Sequence, residues 1–252
     1  MDLIPFDLGT WAACAAIIFG AYVVFGITTF GAAMFAVPLL AMFFPLAFVL
    51  PMCVLIDVCA ALAMGSRFSR QADRGELAWM APSSLAGALA GVTLLVTLSQ
   101  AWLLGVLGAF LCLYGVYSGL APAPTRGIPR HPWAVVSGFC GGAAGTLFGV
   151  GAPPYAVYLS RRLTDVTALR ATLSNMVLLS TSIRTLVFIG GGLMLADRVV
   201  GALLLVPCAL AGTALGHRIQ LGVSRRALLR AISFMLVLIG ASLLLRAWRW
   251  TA

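Results

Sequence analysis

The sequence predicts an all-α polytopic membrane protein made of two inverted-topology repeats, each a broken-helix hairpin plus three transmembrane helices. Three observations predict it. Hydrophobic residues make up 62% of the 252 and charged residues only 9%, against roughly 25% charged in a soluble domain. The apolar residues run unbroken: no charge interrupts residues 77–125 or 132–160, and Asp57 is the sole charge between Leu8 and Ser66. Glycine and proline break two of the runs, one in each half of the chain.

A bilayer-crossing helix needs about 20 apolar residues. Lipid cannot satisfy free backbone N–H and C=O groups, so a crossing segment is a helix or part of a closed barrel. Runs this long exclude the alternating pattern of barrel strands. Taken in order, residues 8–44 form a first hairpin with its tip at 26–31. Spans come next at 45–65, 77–98 and 102–120. The Pro-rich stretch APAPTRGIPRHP at 121–132 links the halves. A second hairpin at 133–160 is broken by GVGAPP at 149–154, and spans at 168–190, 199–216 and 228–248 complete the chain. The division is thus a first repeat at 1–120, a linker at 121–132 and a second repeat at 133–252. The second hairpin is too short for two full crossings, so its arms enter and leave on one side. All six Trp residues fall at predicted segment ends, where an indole prefers the headgroup zone.

Charge sets the orientation. All 16 basic residues are Arg. With both hairpins returning to their own side, the segments 67–76, 121–132, 161–170 and 217–230 share one face and hold 12 of them. By the positive-inside rule that face is cytoplasmic. Both termini are then expected outside the cytoplasm, and the net charge of +9 reports topology, not a nucleic-acid partner. The expected partners are the lipid bilayer and a small anionic substrate. The number of copies is left open, a homodimer included. The six Cys all lie in apolar runs without a CxxC pair, so neither a disulfide, a metal site nor a cofactor is expected. The acidic N-terminus MDLIPFD does not read as a cleaved signal peptide.

The two halves share a weak internal likeness. FGITTFGAAMFAVPLL at 25–40 resembles GTLFGVGAPPYAVYL at 145–159: glycines, then proline, then an apolar arm. Asp57 comes after Pro38 at nearly the spacing at which Asn175 comes after Pro154. These motifs resemble the sulfite exporter TauE/SafE family of membrane permeases. TTFGAAMFAVPLLA at 28–41 is similar to that family's Gly-rich stretch ending in Val-Pro-Leu-Leu. SGFCGGAAGTLFGVGAPPYAVYL at 137–159 is similar to its "G…G…GxGGPP…Y" stretch, and LRATLSNMVLLSTSIR at 169–184 resembles the family's next helix. Ala32, Ala33 and Ala152 stand where glycines are expected. The resemblance implies a bacterial inner-membrane secondary transporter exporting sulfite or organosulfonates, and not an enzyme. The chain also has no HExxH, no GxSxG and no close Asp pair. A membrane assembly factor without transport is the alternative.

The candidate binding residues are those of the breaks: Thr28, Thr29, Gly31 and Pro38 in the first half, Gly149, Gly151, Pro153 and Pro154 in the second. Broken helix ends present free N–H groups and a positive dipole end, which suit an oxyanion. In the bland reading the glycines only let helices pack closely. Tyr158 is a further candidate, facing either the cavity or a neighbouring helix, and Asn175 is the neutral counterpart of Asp57. Asp57 is expensive at membrane depth and is the candidate proton-coupling group. Arg184 either snorkels to the nearer interface or turns inward to hold the anion.

Overall fold

The computed structural model describes residues 8–28, 31–63, 71–120, 130–219 and 237–248. These residues are all helix and short connections. The helices are α1 (Leu8–Thr28), α2 (Ala32–Leu40), α3 (Leu46–Ala63), α4 (Arg74–Thr97), α5 (Gln100–Leu120), α6 (Arg130–Phe148), α7 (Ala152–Arg162), α8 (Val166–Gly190) and α9 (Ala196–Ile219), followed by α10 (Val237–Trp248). By length and composition α1, α3, α4, α8 and α9 can each cross a membrane, and α5 and α10 are apolar too. Large side chains such as Trp102, Leu113, Leu245 and Trp248 stay exposed, as lipid-facing residues of a bundle do. Residues 228–236 of the last predicted span, most of the 121–132 linker and both chain ends lie outside the described residues.

Asp73 starts α4 by accepting from the Gly75 and Glu76 amides. Asp165 starts α8 by accepting from the Thr167 and Ala168 amides. Each carboxylate satisfies two of the amides that a helix start leaves without an internal partner.

Packing is organised across the halves. α1 lies along α9, and α4 along α6. α3 packs on α9, and α8 on α4. Each hairpin closes on itself, α1 on α2 and α6 on α7. α3 and α8 meet each other. Small residues make the long pairings close. A methyl built on Gly26 of α1 would stand 2.9 Å from the His217 backbone nitrogen of α9. Gly87 of α4 and Gly142 of α6 likewise meet the facing backbone. Such approach gives van der Waals contact in a solvent where apolar burial gives no drive.

The hairpins differ from their expected outlines. α6 begins at Arg130, inside the predicted linker, because proline is tolerated in a helix's first turn, and Pro132 sits there. Its 19 residues reach about 28 Å at 1.5 Å each, so this entering arm is nearly full length and only the returning α7 is short. α1 is also long, with 21 residues, and α2 short, with nine. The first break is narrower than 26–31: Gly26 belongs to α1 and is pressed on α9.

Candidate functional site

The two breaks meet. Gly31 (φ 96°) and Gly149 (φ 73°) adopt the left-handed backbone that favours glycine. Gly149 abuts Ala33: a methyl there would stand 2.8 Å from the Ala33 methyl. Beside this contact lies a cavity of about 260 Å³. The N-terminal ends of α2 and α7 border it through Gly31–Met34 and Gly151–Pro153. Neither helix start is capped by a side-chain hydrogen bond. A helix start carries roughly half a positive charge and outward-pointing amides, so two such ends face one space. Pro153 and Pro154 remove two donors from α7, leaving that start to Gly151 and Ala152. Val58, Ala61, Val177 and Leu178 supply apolar wall.

Two charges complete the lining. Arg184 comes from α8 and Asp57 from α3. The Arg184 residue is only 6% exposed, so it turns inward and does not snorkel. Its Nη1 donates to the Gly145 carbonyl at 2.7 Å, capping the last turn of α6, where a cation suits the negative dipole end. Nη2 lies 3.5 Å from Thr181 Oγ1 and 3.7 Å from Asp57 Oδ2. Nε is buried with no partner among the described residues. Asp57 Oδ1 accepts from the Tyr22 hydroxyl of α1 at 2.6 Å. The carboxylate is therefore offset by a hydroxyl and by an ion pair, as intramembrane charge requires.

A chain of hydroxyls also reaches the cavity. Tyr155 of α7 lines it, with its hydroxyl 2.9 Å from Ser84 Oγ and 3.1 Å from Ser180 Oγ. Its ring sits in the space left by Gly141, where any side chain would collide with it.

Of the candidates read from the sequence, Gly31, Gly149, Gly151, Pro153, Asp57 and Arg184 are brought together around the cavity. Pro38 is buried within α2, away from the cavity lining. Pro154 is also off the lining, and its carbonyl accepts from Ser137 Oγ at 2.9 Å. Tyr158 points elsewhere, donating to Glu76 Oε2 at 2.6 Å. Asn175 is buried on α8 and does not line the space. Thr28 ends α1, and Thr29 lies outside the described residues. Thr146 bonds back to the Gly142 carbonyl of its own helix. Tyr22, Ser180 and the Gly145 carbonyl are contributors that the sequence reading did not single out. A tyrosine within an apolar span is the signal that was available, since a buried hydroxyl needs a partner.

The family model for the sulfite exporter TauE/SafE matches residues 14–243. The probable inner membrane transporter protein TsaS of Comamonas testosteroni is 29% identical over 200 residues, covering 78% of this chain and 82% of its own. The probable sulfite/organosulfonate exporter TauE of Cupriavidus necator is 31% identical over 142 residues, 56% of each chain. No solved structure matches the chain.

Proposed function

Because the chain belongs to the sulfite exporter TauE/SafE family, we propose that it is a multi-pass inner-membrane transporter that exports sulfite or organosulfonates by alternating access. The observation that carries this reading is the cavity where two uncapped helix starts and Arg184 converge. A sulfonate or sulfite group offers several oxygens to a planar guanidinium, which can grip two at once. Backbone amides of α2 and α7 would take the remaining oxygens. Walls of Val58, Ala61, Val177 and Leu178 would accommodate an organic tail.

Alternating access needs two bodies that rock about the bound anion. The inverted repeat supplies them, with α1–α5 related to α6–α10. The matched pairings support this relation: α1 on α9 answers α6 on α4, α3 on α9 answers α8 on α4, and α3 meets α8 at the centre. The two tips touch at Ala33 and Gly149, so rocking the halves would reshape the cavity directly. The Arg-rich face would be cytoplasmic and both termini outside. Asp57 would carry a coupled proton, being the one carboxylate among the described residues that line the cavity.

Two measurements test this. Purified protein should melt at a higher temperature with sulfite, sulfoacetate or methanesulfonate than with chloride, because a ligand of the folded state stabilises it by mass action. Proteoliposomes loaded with labelled sulfite should lose it faster than protein-free vesicles. No thermal shift across the anion panel together with no added flux would overturn the reading in favour of a non-transporting assembly factor.

A further inference from the structure

Arg184 uses its donors unevenly. A guanidinium has five N–H donors in one plane. Here Nη1 is fixed on Gly145 at 2.7 Å. Nη2 has a contact at the edge of hydrogen-bond range, 3.5 Å to Thr181, and stands 3.7 Å from Asp57 Oδ2. That last separation is an ion pair but not a hydrogen bond. Nε has no partner among the described residues, although it is fully buried. A buried charged donor left unmade is costly, so the guanidinium is not fully satisfied by its partners among the described residues. Asp57 mirrors it: Oδ1 is held by Tyr22, while Oδ2 faces the same guanidinium across the cavity wall.

We infer, on the anion-transport reading above, that Asp57 and the transported anion are alternative partners of the one Arg184 guanidinium, so that a proton and an anion load together. With Asp57 ionised, the pair is neutral. A monovalent anion entering then leaves one net negative charge in the cavity, beside a carboxylate. With Asp57 protonated, the cation is released to the anion, and a monovalent anion again leaves the cavity neutral. The proton comes from water in the cavity and forms the O–H bond on Oδ2; no electron moves and no other bond breaks. Tyr22 goes on donating to Oδ1. Proton and anion then travel in the same direction, one for one.

Among the described residues, the ionisable groups beside the carboxyl are Tyr22 from α1, Arg184 from α8 and Cys53 one turn back on α3. α2 carries no titratable side chain. Tyr155 of α7 lines the same cavity, while Glu76 of α4 lies off that lining, bonded to Tyr158 and Arg162. One carboxyl and one guanidinium are thus the pair to watch.

The test uses sulfoacetate and methanesulfonate, whose own charge is constant over about pH 6–9 because their acid groups ionise below that range. Calorimetric titration of the purified protein, in buffers of different ionisation enthalpy, counts protons taken up on binding. Wild type should take up close to one proton per anion at the upper end of the range, with affinity falling about tenfold per pH unit there. Asp57→Asn should bind the same anions with no proton uptake and with affinity independent of pH. Wild-type binding without proton uptake anywhere in the range would overturn the inference while leaving anion transport intact. Unchanged uptake in Asp57→Asn would overturn it too. No binding of either anion by wild type would remove the inference together with the reading beneath it. The wild-type count decides by itself should Asp57→Asn not fold.

Discussion

Two carboxylates within the bundle, Asp57 half-buried and Glu76 fully buried, are built from the same parts and left in different states. Asp57 receives a tyrosine hydroxyl at 2.6 Å and faces Arg184. Glu76 receives a tyrosine hydroxyl at 2.6 Å and faces Arg162. Around Glu76 the set is closed: the Arg162 Nε donates to Oε1 at 3.0 Å, the residue is 0% exposed, and it stands apart from the cavity. The cluster ties the first turn of α4 to the last turn of α7, while the Asp73 amide ties the same corner to Thr172 of α8 at 2.9 Å. Around Asp57 the set is open. Its cation is held beyond hydrogen-bond distance, one edge of that cation is unspent, and both charges line the cavity. A fully satisfied polar cluster rigidifies its surroundings, and the open one is where the inferred exchange of partners would take place.

Removing each partner in turn tests that contrast. The largest effect is expected for Arg184→Ala, which strands Asp57 and deletes the anion's fork. Breaking a buried pair costs about 3–5 kcal/mol. The lower end applies because the Asp57 side chain is 20% exposed. Efflux from proteoliposomes should vanish and the melting temperature fall. Arg184→Lys should not restore efflux, since one ammonium cannot hold both Gly145 and a bidentate oxyanion. Next is Glu76→Gln, expected to cost about 1–3 kcal/mol in unfolding free energy, the usual cost of weakening a buried hydrogen-bonded charge. Its anion affinity, measured calorimetrically, should match wild type. A drop in affinity like that of an Arg184 variant would mean that the two clusters do not differ in role.

The tyrosines sharpen the comparison further. Each hydroxyl bonds a carboxylate, so Tyr22→Phe and Tyr158→Phe should cost similar amounts, about 1.5–3 kcal/mol. Only Tyr22→Phe should change the pH dependence of anion binding. The smallest effect on transport is expected for Arg162→Ala. Its side chain is 37% exposed, but the Glu76 carboxylate it leaves is fully buried, so the unfolding free energy should fall by about 1–3 kcal/mol while efflux is retained.

Much of the frame could be read from the chain. The spans at 45–65 and 168–190 correspond to α3 and α8, and the break at 149–154 falls where α6 gives way to α7. Asp57 and Arg184 drew notice separately, each as a lone charge in an apolar run. Their pairing could not be read, because it depends on how α3 and α8 are rotated against each other. Hydrophobic periodicity carries no such signal in helices that are apolar all round. Depth was equally hidden. Tyr155 and Tyr158 are three residues apart on α7, about 4.5 Å along the axis. That step separates a hydroxyl at the cavity from one on Glu76. The counterpart argument singled out Asn175, yet the turn of α8 that faces Asp57 is Ser180–Arg184, more than a turn further on. The proposed repeat would relate backbones, while the chemistry placed on them is lopsided.

The exchange of helices between halves has a consequence for how the protein is made. α1 finds its long partner in α9, and α4 in α6. Neither half therefore owns a complete set of packing partners. A nascent chain that has inserted α1 must wait for α9, from Ala196 onward, before that groove is filled. At about 5–20 residues per second the delay is on the order of 10–30 s. Throughout that interval the small-residue face of α1 stays open to lipid or to a neighbouring chain. It is the stage at which a bystander helix, or a chaperone guarding against one, has its opportunity.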